Sequence, residues 1–314
     1  MENTLDIKTK PNNDFTLDVK KENKKSKIFA TAYKVFIYVF LTIVAILSFL
    51  PFYWMIISSL KIETEFRQSI PTFFPTEGIS WVNYSIVLTY KEGLFTTTLT
   101  NTLIVGLVTT VLGLIITILS AYAFARLEFK GKNLLFTVML ATMMIPGELF
   151  TTTNIVTVSK LGWDKTYIVL ILPFLISFYY IYLLRNAFKQ IPESLYKAAK
   201  VDGCSDIGYL IKVMVPLTAP TLISIGLLKF IGTWNSYIWP KLVNKKSMDW
   251  QLITNWVTMG FADLNNVLGL DTGSESLNTL KMAAACVVTL PLFILFICFR
   301  KYIMQGVSKS GTKG

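Results

Sequence analysis

The sequence predicts an all-α protein that crosses a membrane six times, and three observations carry that reading. Of 314 residues, 53% are apolar and only 16% are charged, well under the charged share of a water-soluble domain. The charges are gathered into clusters, and the neutral stretches between them number six. Each is near the roughly 20 residues a helix needs to cross about 30 Å of hydrocarbon. Six such runs expose or bury far more apolar surface than a globule of this length accommodates.

Residues 1–33 are rich in Lys, Asn and Asp with little apolar periodicity, and read as a disordered basic tail. The Lys20–Lys27 run is either a solvated positive flank or a contact for anionic headgroups. The segment 34–96 holds the first span and first outer loop. Between Lys34 and Lys61 no charge interrupts the span, and its length and long polar lead distinguish it from a cleaved signal peptide. In the loop, Pro71, Phe73, Phe74, Pro75, Trp81 and Tyr84 suit an interfacial belt or a short helix on the membrane surface.

The remaining five spans lie within 97–303. The second occupies the uncharged stretch 93–125. The third lies between Lys132 and Lys160, with Glu148 its one charge, beside Pro146-Gly147 where an irregular outer part is expected. The fourth is 166–184, the fifth 213–240 with Lys229 near its middle, and the sixth 282–299. Pro173 and Pro291 predict kinks in the fourth and sixth. The outer loop at 241–278 carries Trp250, Trp256 and Phe261, and its length predicts partly folded structure near a substrate mouth. Residues 304–314 form a second tail.

Six spans put both termini on one side. The tails and the two inner loops on that side hold 20 of the Lys and Arg residues, against 8 in the three opposite loops. The positive-inside rule therefore places both termini in the cytoplasm of a bacterial inner membrane. The basic balance does not indicate nucleic-acid binding, since the charges flank membrane segments and form no groove-reading motif. The chain has no histidine, which removes zinc-protease and His-based acid–base chemistry, and no metal site is expected. Cys286 and Cys298 fall in the sixth span and Cys204 in an inner loop, so no disulfide framework is implied. No catalytic arrangement of Ser/Lys or paired Asp stands out. The sole Gly-Lys pair, Gly131-Lys132, has Arg126 where a phosphate-binding loop requires its first glycine, so the chain carries no nucleotide cradle.

The most informative connection is 191–220. Pro192 and Glu193 make a good helix start, because proline needs no amide partner there and glutamate complements the dipole. Asp202-Gly203 ends that helix, with glycine accepting a left-handed stop. Ser205 or Asp206 caps a second helix whose Ile207, Leu210, Ile211 and Met214 are expected on one face, and Pro216 opens the fifth span. The connection is thus a compact helix–turn–helix. It either lies on the bilayer or docks into a protein cleft, and adjacent small residues beside a sharp corner favour docking.

Ala198-Ala199, Asp202-Gly203 and, twelve residues on, Pro216-Leu217 closely resemble the EAA loop of ABC importer permeases. The resemblance covers roughly 34–314 and extends to the maltose-type carbohydrate branch. It is carried by Asn101-Thr102-Leu103, Ala121–Leu127, Met143–Glu148, Leu161-Gly162, Gly232–Asn235, Trp239-Pro240 and the segment from Lys301-Tyr302 onward. It implies the type I importer permease fold over 97–303 and an ATPase-coupling role for a loop at about 191–216, with Glu193, Lys197, Ala198, Ala199, Asp202, Gly203 and Pro216 as its residues. Lys197 stands where the family carries glutamate, so that glutamate's charge contact does not carry over. The implied partners are a sister permease, a dimer of ABC ATPase subunits and an extracytoplasmic solute-binding protein, besides a sugar substrate and membrane lipid. ATP and Mg would be used by the partner ATPase, and this chain would bind no cofactor.

Within the membrane, Lys229 is costly at mid-depth and should face the bundle or a wet cavity. It contacts substrate, or it pairs with Glu148 or the sister subunit. Trp234, Asn235 and Tyr237, with Glu148, either line the translocation path, where aromatic faces and amides suit sugars, or fill the subunit interface. The rival functions are a self-sufficient secondary carrier, a membrane-embedded enzyme, and an importer for another solute such as glycerol phosphate. Paired Pro/Gly-broken helices in matching halves, which would favour the carrier, are not apparent in the sequence.

Overall fold

The computed structural model describes residues 13–245, 247–260 and 278–308, and every regular element among them is helical. The chain divides into two units, 1–56 and 57–314.

The first unit is the body of helix α1 (Asn13–Ser59). Within Lys27–Ser59 an 18-residue stretch reaches a mean hydropathy of 2.6, and the helix passes through Pro51 without a break. Its start corrects the expected tail at 1–33, because backbone from Asn13 onward is helical. Lys and Glu between 18 and 27 are good helix formers, and joining an existing helix avoids the nucleation step.

The second unit begins with α2 (Glu63–Phe66) and α3 (Val82–Thr89) in the first loop. Then come α4 (Leu94–Arg126), α5 (Lys132–Thr142), α6 (Thr151–Lys160), α7 (Tyr167–Ile171) and α8 (Phe178–Lys189). The 191–217 connection contributes α9 (Glu193–Val201), α10 (Asp206–Tyr209), a π-helical turn at Leu210–Met214 and α11 (Val215–Leu217). Helices α12 (Ala219–Trp234), α13 (Ile238–Val243), α14 (Ile253–Met259) and α15 (Asn278–Ser308) complete it.

Among the described residues, three helices are long and apolar enough to span a membrane, at 27–59, 94–126 and 278–302. The other three expected spans are bent pairs: α5 with Gly147–Lys160 at 81°, 167–174 with α8 at 44°, and 206–217 with α12 at 81°. All six neutral runs therefore coincide with a span or a bent pair. The bends follow from proline: Pro146, Pro173 and the Pro216–Pro220 region each remove an amide from the ladder and disfavour helix at the preceding residue. The kink expected at Pro291 is not found: α15 runs continuously through it, as α1 does through Pro51.

Helix α4 is the axis of the second unit and packs against α12, α8 and α14. Small residues let the backbones approach: Gly106 lies under the Phe230 ring, and Gly226 lies against Leu114 and Thr110. The hydroxyls of Thr98, Thr102 and Thr117 return to the carbonyls of Leu94, Thr98 and Gly113, so these polar residues bury without orphaned donors. Asn101 ties α4 to the 241–260 loop. Its amide donates to the Asp249 and Gln251 carbonyls, and its Oδ1 accepts from Tyr167 Oη at 2.8 Å. The expected folding of that loop is found through Gly260, with Trp256 fully buried; Phe261 lies outside the described residues.

At the same end, Glu65 is buried and organises the first loop. It accepts from Thr72 Oγ1, the Thr76 amide and hydroxyl and the Glu77 amide. Lys61 Nζ donates to the Thr72 carbonyl beside it. Glu63 accepts from the amides of Asn278 and Thr279 at the first described residues of α15, placing a carboxylate where helix amides point outward. Of the loop aromatics, Phe73, Phe74 and Trp81 are exposed, as an interfacial belt requires.

Candidate functional site

The first candidate is the connection that follows α8. Helix α9 begins after Pro192 with Glu193 in its first turn and ends at Val201, and Gly203 takes a φ of +74°. Glycine is needed there because of the backbone, not crowding: a Cβ at Gly203 would meet nothing within 4 Å. Ser205 caps α10, its hydroxyl accepting from the Gly208 amide. The four apolar residues expected on one face are split. Leu210 and Met214 are buried, while Ile207 and Ile211 are exposed. Only one side of this short helix meets the bundle, and the π-turn rotates the residues after Tyr209. Pro216 sits in α11, in the 206–217 arm of the bent pair and just before its 81° bend.

Glu193, Lys197, Ala198, Asp202 and Gly203 all lie on the exposed surface, with Ala199 half-buried against the core. Lys197 Nζ is 3.1 Å from Glu193 Oε1, one turn back. Exposed pairs of this kind contribute about 0.3–0.5 kcal/mol. The lysine in place of the family's glutamate thus has a local partner on its own helix.

Sequence reasoning missed what holds this connection to the membrane helices. Asp206 Oδ1 accepts from Tyr122 Oη of α4 at 3.1 Å and from Tyr196 Oη of α9 at 2.8 Å, and pairs with Lys200 Nζ at 3.0 Å. Its acceptor oxygen raises the pKa of both Tyr196 and Lys200. The buried Tyr209 ring packs edge-on against Tyr196 at 5.1 Å. Arg126, at the end of α4, donates to the carbonyls of Phe188, in the last turn of α8, and of Ile191 just beyond it. Arg185 donates to the Phe124 carbonyl and lies over the Phe136 ring at 3.8 Å. An aspartate or arginine in a polar linker reads as a solvated charge, so no sequence signal separated these residues from their neighbours.

The second candidate is a pair of adjoining cavities beside the fourth and fifth spans. One, of about 380 Å³, contains Lys229 among Thr109, Phe174, Tyr180, Ser236 and Trp239. The other, of about 700 Å³, brings together Glu148, Asn154, Asn235 and Tyr237. Phe174, Ser236 and Trp239 line both.

Two expectations are corrected. Lys229 does not pair with Glu148: its Nζ donates to the carbonyls of Phe174 and Leu175, both at 3.2 Å, which the Pro173 break releases from the helix ladder. Trp234 lines neither cavity; it is 2% exposed and packs with Val87, Leu94, Ile253 and Trp256. Each helical residue turns by about 100°, so Trp234 faces away from the cavity that its neighbours Gly232 and Thr233 line.

Residues 110–309 match the model of the family described as binding-protein-dependent transport system inner membrane component. The chain belongs to that family. Among its relatives, the arabinooligosaccharides transport system permease protein AraQ of Halalkalibacterium halodurans is 28% identical, the match covering 86% of this chain and 93% of that one. The trehalose/maltose transport system permease protein MalG of Thermococcus litoralis is 32% identical, with coverages of 87% and 94%. Among solved structures, a chain of a bacterial ABC transporter involved in the import of the acidic polysaccharide alginate matches with a TM-score of 0.73 at 26% identity. That match covers 88% of this chain and 97% of the other. This binding-protein-dependent inner membrane component is thus a multi-pass permease subunit of an ABC importer, not itself an enzyme.

Proposed function

We propose that this permease forms, with a sister permease, the translocation path for a carbohydrate delivered by an extracytoplasmic solute-binding protein. Two ATPase subunits, using ATP and Mg, would drive it through the 191–216 connection, and both termini would lie in the cytoplasm. The observation that carries the coupling role is the exposed α9–Gly203–α10 corner, anchored to α4 through Asp206 while its outer surface stays bare. Alternating access requires such a rigid handle, because force applied at the corner must reach the spans instead of bending the linker. The carbohydrate reading is supported by relatives whose names specify arabinooligosaccharides and trehalose or maltose, and by aromatic and amide groups around the two cavities.

The test is sugar-stimulated ATPase activity and uptake by the reconstituted complex, comparing wild type with Gly203→Asp. Loss of both by about ten-fold or more, with the complex still assembled, is the expected outcome for a coupling element. Uptake by this chain alone, unaffected by Gly203→Asp, would instead establish a self-sufficient carrier.

A further inference from the structure

Lys229 is 6% exposed and lines the 380 Å³ cavity. Its ammonium has three donors, and the Phe174 and Leu175 carbonyls take two of them. Tyr180 offers its ring face at 5.3 Å. No acidic side chain of the described residues pairs with this lysine. Two carbonyl dipoles orient a cation without cancelling its charge, and a neutral donor would satisfy the same carbonyls without the cost of a charge at membrane depth. The molecule also makes room for it. A Cβ at Gly113 would come within 2.6 Å of Nζ and 2.9 Å of the Leu175 carbonyl, so the glycine on α4 is what admits the lysine.

A second, independent observation lies in the same cavity. Thr98, Thr102 and Thr117 on α4 all return their hydroxyls to the preceding turn. Thr109, on the same helix and 2% exposed, leaves its Oγ1 without a partner among the described residues. A buried hydroxyl left unsatisfied beside an uncancelled cation marks a place where a ligand's oxygens belong. Phe174 and Trp239 supply apolar faces, and the Trp239 ring is fixed by its Nε1 donating to the Val169 carbonyl at 2.9 Å. The volume is within the about 300–1,000 Å³ typical of small-molecule sites.

We infer that the cavity around Lys229, Thr109 and Trp239 is a subsite for an acidic saccharide, with Lys229 taking the sugar's anionic group, Thr109 a hydroxyl and Trp239 the ring face. The inference rests on the carbohydrate reading above and narrows it to anionic sugars.

The test uses the assembled complex of this chain with its sister permease and ATPase, without binding protein, so that the cavity's own preference is read. Cys204, Cys286 and Cys298 are replaced by serine, and the Ser236→Cys variant is labelled with a small neutral maleimide. Trigalacturonate at about 10 mM should slow labelling by about five-fold or more, and galactotriose by less than about two-fold. Lys229→Gln should abolish that protection, and Lys229→Arg should retain it, which separates charge recognition from misfolding. Equal protection by both saccharides, or protection that survives Lys229→Gln, would overturn the anionic subsite while leaving the carbohydrate reading intact. A Ser236→Cys variant that never labels would overturn it too, by showing the cavity sealed from the path. Protection by glycerol 3-phosphate alone would remove the carbohydrate reading and this inference with it.

Discussion

Asp206 gathers two tyrosine hydroxyls and a lysine ammonium onto one oxygen. Because one of the tyrosines belongs to α4 and the other to α9, the aspartate is the joint between the exposed corner and the membrane. Asp206→Ala removes all three bonds without leaving a buried charge, so the fold should survive. The expected effect is a drop of about three- to ten-fold in substrate-stimulated ATPase activity, with basal hydrolysis by the ATPase subunits unchanged. An equal fall in both rates would make Asp206 a folding residue only. Glu65 at the other end behaves differently. Burial pushes its carboxyl up, but hydrogen bonds from Thr72, the Thr76 and Glu77 amides and the Thr76 hydroxyl outweigh that and bring it from 4.5 to about 2. A depressed carboxylate stabilises the fold above its unfolded value and loses that contribution as pH falls through the folded one. Thermal stability in detergent should therefore decline between pH 4.5 and about 2 more steeply for wild type than for Glu65→Gln. Parallel slopes would remove Glu65 as the cause.

Among the elements, the broken spans determine where chemistry sits. The break at Pro173 frees two carbonyls, Lys229 of α12 reaches them, and Gly113 of α4 gives it passage. Three elements thus meet at one ammonium. Gly113→Ala should force α4 and α12 apart and cost about 1–3 kcal/mol, the usual range for overpacking. The check is the melting temperature of the purified complex, and an unchanged value would mean that Lys229 swings clear at little cost. The connection at 191–217 shows how an element can be read correctly in outline and wrongly in orientation. Its start, its glycine stop and its serine cap follow from short-range rules. Which of Ile207, Leu210, Ile211 and Met214 are covered depends on the bundle and on a π-turn, neither of which has a local signature.

Across the whole molecule, six neutral runs, their order and the family of the chain were legible because hydrocarbon imposes length and polarity on every span. The same rule says nothing about rotation around a helix axis. Trp234, Asn235 and Tyr237 are near neighbours in sequence, yet the first is packed in the core and the other two face a cavity. The alternation of Lys and Arg along the chain, the helix–turn–helix of the 191–217 connection and the missing nucleotide cradle were all determined by sequence alone, since each is a local or compositional property. Tertiary structure decided the partner of Lys229, the joint at Asp206 and the exclusion of Trp234 from the cavities. Those depend on contacts between segments far apart in the chain, 54 residues for Lys229 with Leu175 and 84 for Asp206 with Tyr122, and sequence spacing carries no information about which side chains three bent spans bring together.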